Sequence, residues 1–340
     1  MPIMIDLTRR RLAASALALA VPRPASAQVS SAQISSVQVH PTQVCPPETP
    51  PTIHRVRLGG FTVTTLLDAS AMIDGPWPIV GEDRERVEVE ALMRENRLPP
   101  NRFKPGFTPT VVQTGRETVL FDTGNGEVGF VPRPAGGQLA RLLARAGIAP
   151  ETIDVVVLTH CHTDHIGGLV EGGRPVFARA RYVVGAAEDA FWRDPSRLSA
   201  PPESNAFKSA RVFRSHLLPL ADRTTFVKPG DTVAPGITAL AAFGHTPGHL
   251  AFHVESAGQG LLVWGDCAHH EVASLARPDW QAFFDMDKER GAATRRTIYD
   301  MAATDGILVA AYHTAFPSLG YVVRQGTGYR WIPLTYQLDP

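Results

Sequence analysis

Four side chains that bind metal ions in proteins fall within one six-residue stretch of the chain. His160, His162, Asp164 and His165 come shortly after the apolar run Val155–Leu158, which predicts a buried strand. In an extended segment, residues two apart project to the same side, so the first two imidazoles are expected to face one point. Imidazole nitrogen suits zinc and similar ions, and a carboxylate adds a hard oxygen ligand. The stretch therefore predicts a metal site in the loop after this strand.

Further candidate ligands lie downstream. His245 and His249 share one short turn, while Asp266 and His313 each follow an apolar run. Spacing alone leaves open which histidine of the turn binds metal. With the first stretch, one histidine of this turn together with Asp266 and His313 gives seven ligands, more than one tetrahedral zinc ion can use. The set predicts two ions about 3.5–4 Å apart, with the two oxygens of Asp266 able to bridge them. This arrangement favours a hydrolase over a closed structural zinc site.

Short β-branched runs alternate with amphipathic segments, and this order predicts the elements that position the ligands. It predicts an α/β fold of the α+β type, with two mixed sheets packed together and helices on the outer faces. The clearest predicted elements are the hairpin Thr110–Gln113 and Thr118–Phe121 and the helices Gln138–Ala146, Ala186–Arg193 and Ala292–Ala303. Four predicted strands deliver polar residues at their carboxyl ends, namely Asp122, His160, Asp266 and His313.

The composition limits the classes of function. The 340-residue chain is 44% hydrophobic and 19% charged, which is typical of a globular protein with a sizeable core. Its 33 Lys and Arg balance its 33 Asp and Glu, so nucleic acid is not expected as a partner. No apolar run reaches the roughly 20 residues that a spanning helix needs, so stable membrane insertion is not expected. The cysteines Cys45, Cys161 and Cys267 cannot all pair, and the last two are predicted to be small buried residues.

The amino terminus predicts targeting and linker segments. Arg9–Arg11 precede the short apolar stretch Leu12–Val21, and a small-residue cleavage site follows. Residues 1–27 therefore predict an export signal, and the arginine run resembles a twin-arginine signal. Residues 28–53 are rich in Ser, Gln, Val and Pro, which predicts a poorly ordered linker. The catalytic domain is expected over residues 54–340, in a protein that is periplasmic or secreted.

The six-residue stretch resembles the His-x-His-x-Asp-His signature of the metallo-β-lactamase superfamily. The turn Gly244–His249, the pair Gly265-Asp266 and the late His313 follow in that family's order. The resemblance spans residues 54–335 and implies an αββα sandwich with metal ions at the edge between the sheets. It implies two divalent ions, with zinc first and manganese, iron or cobalt as alternatives.

The resemblance also assigns roles to single residues. The implied ligands are His160, His162 and His245 for one ion, Asp164, His165 and His313 for the other, and Asp266 as the bridge. His249 is then a supporting or core histidine. Asp122 resembles a structural aspartate of the family and is expected to orient a ligand imidazole.

The carboxyl-terminal half resembles one branch of that family. Four segments are similar to segments of methyl-parathion-hydrolase-like enzymes, whose relatives include N-acyl-homoserine lactonases, namely Gly265–His270, Arg277-Pro278, Asp285–Asp287 and His313–Pro317. Those lactonases commonly place a tyrosine three residues after the bridging aspartate, where this chain has His269. The resemblance implies a phosphotriesterase or lactonase that attacks neutral esters with a metal-activated hydroxide. A quorum-quenching lactonase as the main activity and a β-lactamase remain as alternatives.

Three residues are predicted to take part in catalysis. Asp164 or Asp266 is expected to accept a proton, and His269 is expected at the pocket edge as a hydrogen-bond donor or proton shuttle, with polar loop packing as its alternative. The substrate is expected to be a small neutral ester or lactone, and the resemblance leaves a homodimer open. Aromatic residues are expected to line an apolar pocket. The candidates are Trp192, Phe207, Phe213, Trp280, Phe283, Phe284 and Phe316.

Overall fold

The computed structural model describes residues 51–335, and two seven-stranded mixed sheets dominate this part of the chain. The predicted export signal and all but the end of the predicted linker lie outside the described residues. In spatial order, the strands of the first sheet are Ile53–Leu58, Phe61–Leu66, Thr110–Gln113, Thr118–Phe121, Val155–Val157, Arg181–Gly185 and Thr224–Val227. Those of the second sheet are Thr232–Ala234, Ile237–Ala241, Leu250–Ser256, Gln259–Val263, Leu308–Ala310, Leu319–Gln325 and Gly328–Pro333.

Helices and short strand pairs complete the described part. The α-helices are Arg86–Glu95, Leu139–Arg145, Thr163–Ile166, Ala186–Arg193, Asn205–Val212, Ala273–Ala276 and Lys288–Asp305. The two-residue strands are Ala69–Ser70, Ile73–Asp74, Arg102–Phe103, Gly106–Phe107, Val170–Glu171 and Arg174–Pro175. Within residues 51–335, every helix is too short or too polar to span a bilayer.

The core forms three apolar layers because the central strands are buried on both faces. Val155 and Val157 point between the two sheets, where Phe121 of the first sheet meets Phe252 of the second at a ring-centroid distance of 5.5 Å. Val156 points the other way, into the layer beneath the helices of the first sheet. A third layer packs helix Lys288–Asp305 on the outer face of the second sheet. The predicted fold class, two mixed sheets with helices outside, is confirmed.

Parallel strand pairs bring the candidate ligands to one edge. In the first sheet Phe121 aligns with Val157, and both strands run in the same direction. In the second sheet Val263 aligns with Ala310 in the same way. The carboxyl ends of parallel neighbours lie at one edge of a sheet, and loops at such edges commonly hold functional groups. The loops after three of these four strands carry a candidate ligand, and the loop after the fourth carries Asp122, which is expected to orient a ligand imidazole.

Two predicted elements have the bounds expected from the sequence, and one predicted helix is longer than expected. The predicted hairpin and the helix Ala186–Arg193 have the expected bounds. The helix predicted over Ala292–Ala303 begins earlier, because the side chain of Asp287 accepts a hydrogen bond from the backbone N–H of Arg290 and caps it. It ends at Gly306, whose φ of 61° is the left-handed conformation of a helix C-cap.

Candidate metal centre

The loop after strand Val155–Val157 is held in place by one buried carboxylate. Asp122 accepts hydrogen bonds from the backbone N–H and the hydroxyl of Thr159, at 2.8 and 2.9 Å. Asp122 itself has a φ of 58°, a left-handed conformation that turns the chain directly after its strand. His160 and His162 follow in this loop, and the short helix Thr163–Ile166 carries the next two candidates.

Three imidazoles converge on one point, and we call them with Asp266 the first group. His162 Nδ1 lies 3.1 Å from His160 Nε2 and 2.9 Å from His245 Nε2. Asp266 Oδ2 lies 3.3 Å from the ring nitrogen of His245 and 3.8 Å from that of His160. Ligands of a tetrahedral zinc ion at the usual bond lengths stand roughly 3.3 Å apart. The separations in the first group are close to this value.

The second group consists of Asp164, His165 and His313, again with Asp266. His165 Nε2 lies 3.1 Å from Asp266 Oδ1, and His313 Nε2 lies 3.1 Å from Asp266 Oδ2. Asp164 Oδ2 lies 3.4 Å from His165 and 3.7 Å from His313. The donor atoms of each group lie within 4.8 Å of one another. Asp266 belongs to both groups, so its carboxylate stands where a bridge between two ions would be.

The unpartnered atoms of the site fit a pair of cations. Among residues 51–335, His165 Nε2 and Asp266 Oδ1 are buried and make no hydrogen bond, although they lie only 3.1 Å apart. A buried polar atom without a partner is costly and calls for an explanation, of which an ion is one. The nitrogen and carboxylate donors are those that zinc, manganese, iron and cobalt accept. The residues present therefore fit two divalent ions.

Two further carboxylates orient ligand imidazoles from behind. Asp122 Oδ2 lies 2.9 Å from His165 Nδ1, which is the role expected from the sequence. Asp285 Oδ1 lies 3.1 Å from His245 Nδ1, and its other oxygen pairs with the buried Arg295. Such contacts fix the ring orientation and tautomer of a ligand histidine. The sequence analysis named Asp285 only as part of a segment similar to one enzyme branch and gave it no role, because its contact with His245 spans 40 residues of the chain.

The two histidines of the Gly244–His249 turn have different surroundings. His245 joins the first group, whereas His249 lies outside both groups. The His249 Nδ1 lies 2.7 Å from the carbonyl of Ala242, and its Nε2 accepts a hydrogen bond from the backbone N–H of Asp266 at 3.2 Å. His249 therefore supports the backbone that carries Asp266, which agrees with the supporting role expected for it.

Burial and charge set the protonation of the site. Burial lowers the pKa of His160 and His162 well below the usual value. Burial alone would also lower the pKa of His245, but the carboxylates of Asp266 and Asp285 raise it to about 9. Burial opposes ionisation of Asp266, yet the surrounding imidazoles, with His313 and His165 foremost, hold its pKa well below the usual value. An ion that binds here meets an ionised carboxylate and displaces a proton from His245.

His269 faces the metal centre, whereas its neighbour His270 does not. His269 is buried, lines the cavity described below, and lies 4.0 Å from Asp266 Oδ2 through its Nε2. Within residues 51–335 neither of its ring nitrogens has a hydrogen-bond partner. The Nδ1 of His270 instead accepts hydrogen bonds from the backbone N–H groups of Val272 and Ala273, so its role is to hold the loop. The structure thus places the first of the two at the predicted pocket edge.

A cavity of about 440 Å³ opens in front of both groups. Its walls include Phe103, Phe107, Phe130, Phe283 and Phe284. Of the aromatic residues predicted to line it, the last two do so. The structure buries Trp192 and Phe213 in the core instead. Sequence reasoning missed the first three aromatic residues, because two of them lie on two-residue strands too short to show a pattern.

The two described cysteines are buried and free. Cys161 packs in the layer beneath the first sheet, and Cys267 packs behind the second. Burial raises the pKa of both thiols. Neither belongs to a ligand group, in agreement with the expectation that they are small buried residues.

Comparison with known proteins finds relatives that are named as hydrolases. A family model described as the metallo-beta-lactamase superfamily matches residues 108–297, more than half of the chain. A probable metallo-hydrolase of Mycobacterium tuberculosis is 29% identical over 183 residues, which cover 47% of this chain and 56% of the relative. A hydroxyacylglutathione hydrolase of Cereibacter sphaeroides is 30% identical over 155 residues, which cover 43% of this chain and 48% of the relative. The chain thus spans about half the length of the curated relatives it matches.

Two solved structures resemble the whole described fold. The hydrolase AbOPH has a TM-score of 0.77 and 25% identity, with 85% of this chain and 99% of that chain covered. The dizinc quorum-quenching lactonase AidC, in complex with the product N-hexanoyl-L-homoserine, has a TM-score of 0.75 and 23% identity, with 84% and 98% covered. The likeness to AidC shows the fold alone.

Proposed function

Because the chain belongs to the metallo-beta-lactamase superfamily, we propose that it is a metal-dependent hydrolase of small neutral esters, either organophosphate triesters or lactones. The observation that carries this proposal is the lining of the cavity. Aromatic rings form its walls, and among residues 51–335 no Lys or Arg side chain lines it. Apart from candidate ligands, its charged residues are the acidic Glu203 and Asp285. Such a cavity suits an apolar, uncharged substrate, because a carboxylate in a substrate is usually met by a cation.

The charge of each candidate substrate also distinguishes the alternative functions. β-Lactam antibiotics and glutathione thioesters carry carboxylates at neutral pH, and the described lining of the cavity has no Lys or Arg side chain to pair with them. A lactone with an apolar acyl chain is neutral and suits the same walls, so a quorum-quenching lactonase is the second candidate. His269 stands where such lactonases commonly have tyrosine, and this difference favours organophosphate triesters over lactones as substrates.

The residues of the site divide the chemistry among them. Two divalent ions, when bound, would lower the pKa of water and polarise an ester oxygen. Asp164 lines the cavity and its side chain is 13% exposed, against 4% for Asp266, so its Oδ2 is the better placed to take a proton from an attacking water. The aromatic walls exclude bulk water, which strengthens every electrostatic contact inside.

His269 is proposed as a neutral hydrogen-bond donor to the reacting ester. Burial, together with the charge of His245, lowers its pKa to about 3, so at pH 7 the ring carries one N–H donor and one acceptor. A donor aimed at developing negative charge contributes about 10²–10³-fold in rate. We expect His269→Leu to lower kcat by about this factor while the bound metal content is unchanged. His253→Leu, at a half-buried histidine of strand Leu250–Ser256 that does not line the cavity, is the matched control and should retain kcat.

The substrate class is tested with four substrates on metal-quantified protein. We expect kcat/KM to be higher for a neutral aryl phosphotriester and an N-acyl lactone than for the anionic nitrocefin and a glutathione thioester. The gap should reach at least about 100-fold, since an uncompensated buried charge costs several kcal/mol. Faster turnover of either anionic substrate would overturn the proposal. Activity that persists after chelation and removal of metal would overturn its metal dependence.

The ion and the cellular location complete the proposal. Zinc is proposed first, because a set of histidine and carboxylate donors suits it, with manganese, iron or cobalt as alternatives. Elemental analysis of protein purified without added metal distinguishes them. Export by a twin-arginine signal over residues 1–27 is also proposed. Replacement of Arg9–Arg11 by Gln should then hold the protein in the cytoplasm of the producing cell.

A further inference from the structure

One buried carboxylate outside both ligand groups joins the two chain segments that carry the first group. Glu188 is fully buried in the first turn of helix Ala186–Arg193. Its Oε1 accepts a hydrogen bond from the backbone N–H of Cys161 at 2.8 Å. Its Oε2 accepts from the hydroxyl of Thr246 at 2.6 Å and from the backbone N–H of Gly248 at 3.1 Å. Cys161 lies between two ligand candidates, and Thr246 directly follows the third.

The same carboxylate also reaches the remaining imidazole of the first group through an aromatic ring. The Trp192 indole N–H donates to Glu188 Oε1 at 2.7 Å. The indole lies edge to face with His162, at a centroid distance of 6.0 Å and an interplanar angle of 69°. Every histidine of the first group is therefore one residue or one ring away from an atom bonded to Glu188.

The turn that carries His245 rests directly on the backbone beside this carboxylate. A Cβ at Gly248 would lie 2.0 Å from the backbone nitrogen of Glu188, which is a steric clash, so only glycine fits at this position. All four groups that contact the carboxylate are donors, so the ionised form is the one that matches them. Removal of the charge would leave at least one buried donor without an acceptor.

We infer that Glu188 is a positioning residue that sets the spacing of His160, His162 and His245 and thereby the affinity of the first group for its ion. The inference rests on the proposed metal dependence. Glu188 is absent from the cavity lining, so it acts through the histidines and not on the substrate. The second group receives no hydrogen bond from it, so its ion should be little affected.

The test is a metal titration of metal-stripped full-length protein with Co²⁺, followed by the visible absorbance of the two sites. Glu188→Gln keeps the size of the side chain but turns an N–H toward one pair of donors. Loss of such a supporting contact costs about 10–100-fold in metal affinity, and we expect this loss at one site only. Asp68→Asn is the matched control. Asp68 is a buried carboxylate that accepts hydrogen bonds from Asn125 and Leu139, and none from the segments of the first group.

Thr246→Val provides a milder test if Glu188→Gln does not fold. It removes one hydroxyl donor to the carboxylate, and we expect the affinity of the same site to fall by up to about tenfold. Wild-type affinities at both sites in either folded variant would overturn the inference, as would an equal loss in Asp68→Asn. A wild-type chain that takes up no Co²⁺ would instead overturn the metal dependence itself, so the two failures are distinguishable.

Discussion

The first and second ligand groups share Asp266, yet the protein supports them in different ways. In the first group, Asp285 orients His245 and is itself held by the buried guanidinium of Arg295. In the second group, Asp122 orients His165, and its other hydrogen bonds come from the neutral Thr159. A carboxylate therefore stands behind a ligand imidazole in each group, but a buried cation holds the first carboxylate and neutral donors hold the second.

The two groups also differ in the contacts that hold His245 and His313. His245 is fixed by the Asp285 carboxylate, whereas His313 packs by its ring, edge to face with Phe107 at 5.1 Å and with Tyr312 at 5.1 Å. Ring packing is less directional than a charged hydrogen bond. The first group is therefore built for fixed geometry and depends on complete ion pairing, since a buried charge that loses its partner is strongly destabilising.

The largest effect is expected at the residue that the groups share. Asp266→Asn replaces one carboxylate oxygen by an N–H group that cannot bind a cation, so both groups should lose affinity together. We expect kcat/KM to fall on the order of 1,000-fold or more, since several kcal/mol of charge stabilisation is lost. Metal content and kcat/KM are measured on the same preparation, with the exposed-turn variant Asp231→Asn as control. Loss of one ion alone would show that Asp266 serves one group and not both.

Substitution of the charged support should destabilise the protein more than substitution of the neutral support. Arg295→Met retains much of the side-chain volume but leaves Asp285 without its cation, which we expect to lower the free energy of unfolding by about 3–5 kcal/mol. Thr159→Val removes one hydroxyl donor to Asp122, which we expect to cost about 1 kcal/mol. Urea unfolding of the metal-stripped proteins measures both. Equal losses would contradict the proposed difference between the groups.

Each supporting carboxylate should act most strongly on the group whose imidazole it contacts. Asp285→Asn and Asp122→Asn each replace a charged acceptor behind a ligand imidazole, and we expect each to weaken the ion of that group by about 10–100-fold. Asp122 also reaches the first group through Thr159, whose hydroxyl lies 3.1 Å from His160 Nδ1, so a smaller effect is expected there. Co²⁺ titration resolves which absorbance band is affected in each variant. If both substitutions weakened the same ion most strongly, the division into two groups would be wrong.

The ligand candidates could be selected from the sequence because their signals are local. His160, His162, Asp164 and His165 stand together directly after an apolar strand, and Asp266 and His313 also follow such strands. The structure brings all of them to one edge between the sheets. Assignment of His245 over His249 came from family resemblance, since two histidines in one turn have equivalent spacing.

The supporting role of Asp122 was expected from the family resemblance, but those of Asp285 and Glu188 could not be predicted, because they depend on contacts between distant parts of the chain. Asp285 is 40 residues from His245, and Glu188 is 27 residues from Cys161 and 58 from Thr246. An acidic residue in a helix or a loop is usually exposed, and only the tertiary structure shows that Glu188 and Asp285 are buried. The hairpin Leu319–Gln325 and Gly328–Pro333 was also missed.

The smallest expected effect concerns the pH dependence of the first group. The carboxylates of Asp266 and Asp285 overcome burial and raise the pKa of His245 to about 9. In the metal-free protein, this raised pKa stabilises the fold fully below about pH 6.5, and the contribution is lost as the pH rises through 9. A cation must displace that proton, so its affinity should rise up to about tenfold per pH unit between pH 7 and 9 and then level off.

Asp285→Asn turns this pH dependence into a test of the charged support. The substitution removes one of the charges that raise the pKa of His245, so less of the imidazole is protonated at pH 7 and proton competition weakens. The affinity deficit of the variant relative to wild type should therefore grow between pH 7 and pH 9. Co²⁺ titration of both proteins at pH 7, 8 and 9 measures it. A constant deficit would mean that Asp285 acts on the orientation of His245 alone and not on its charge.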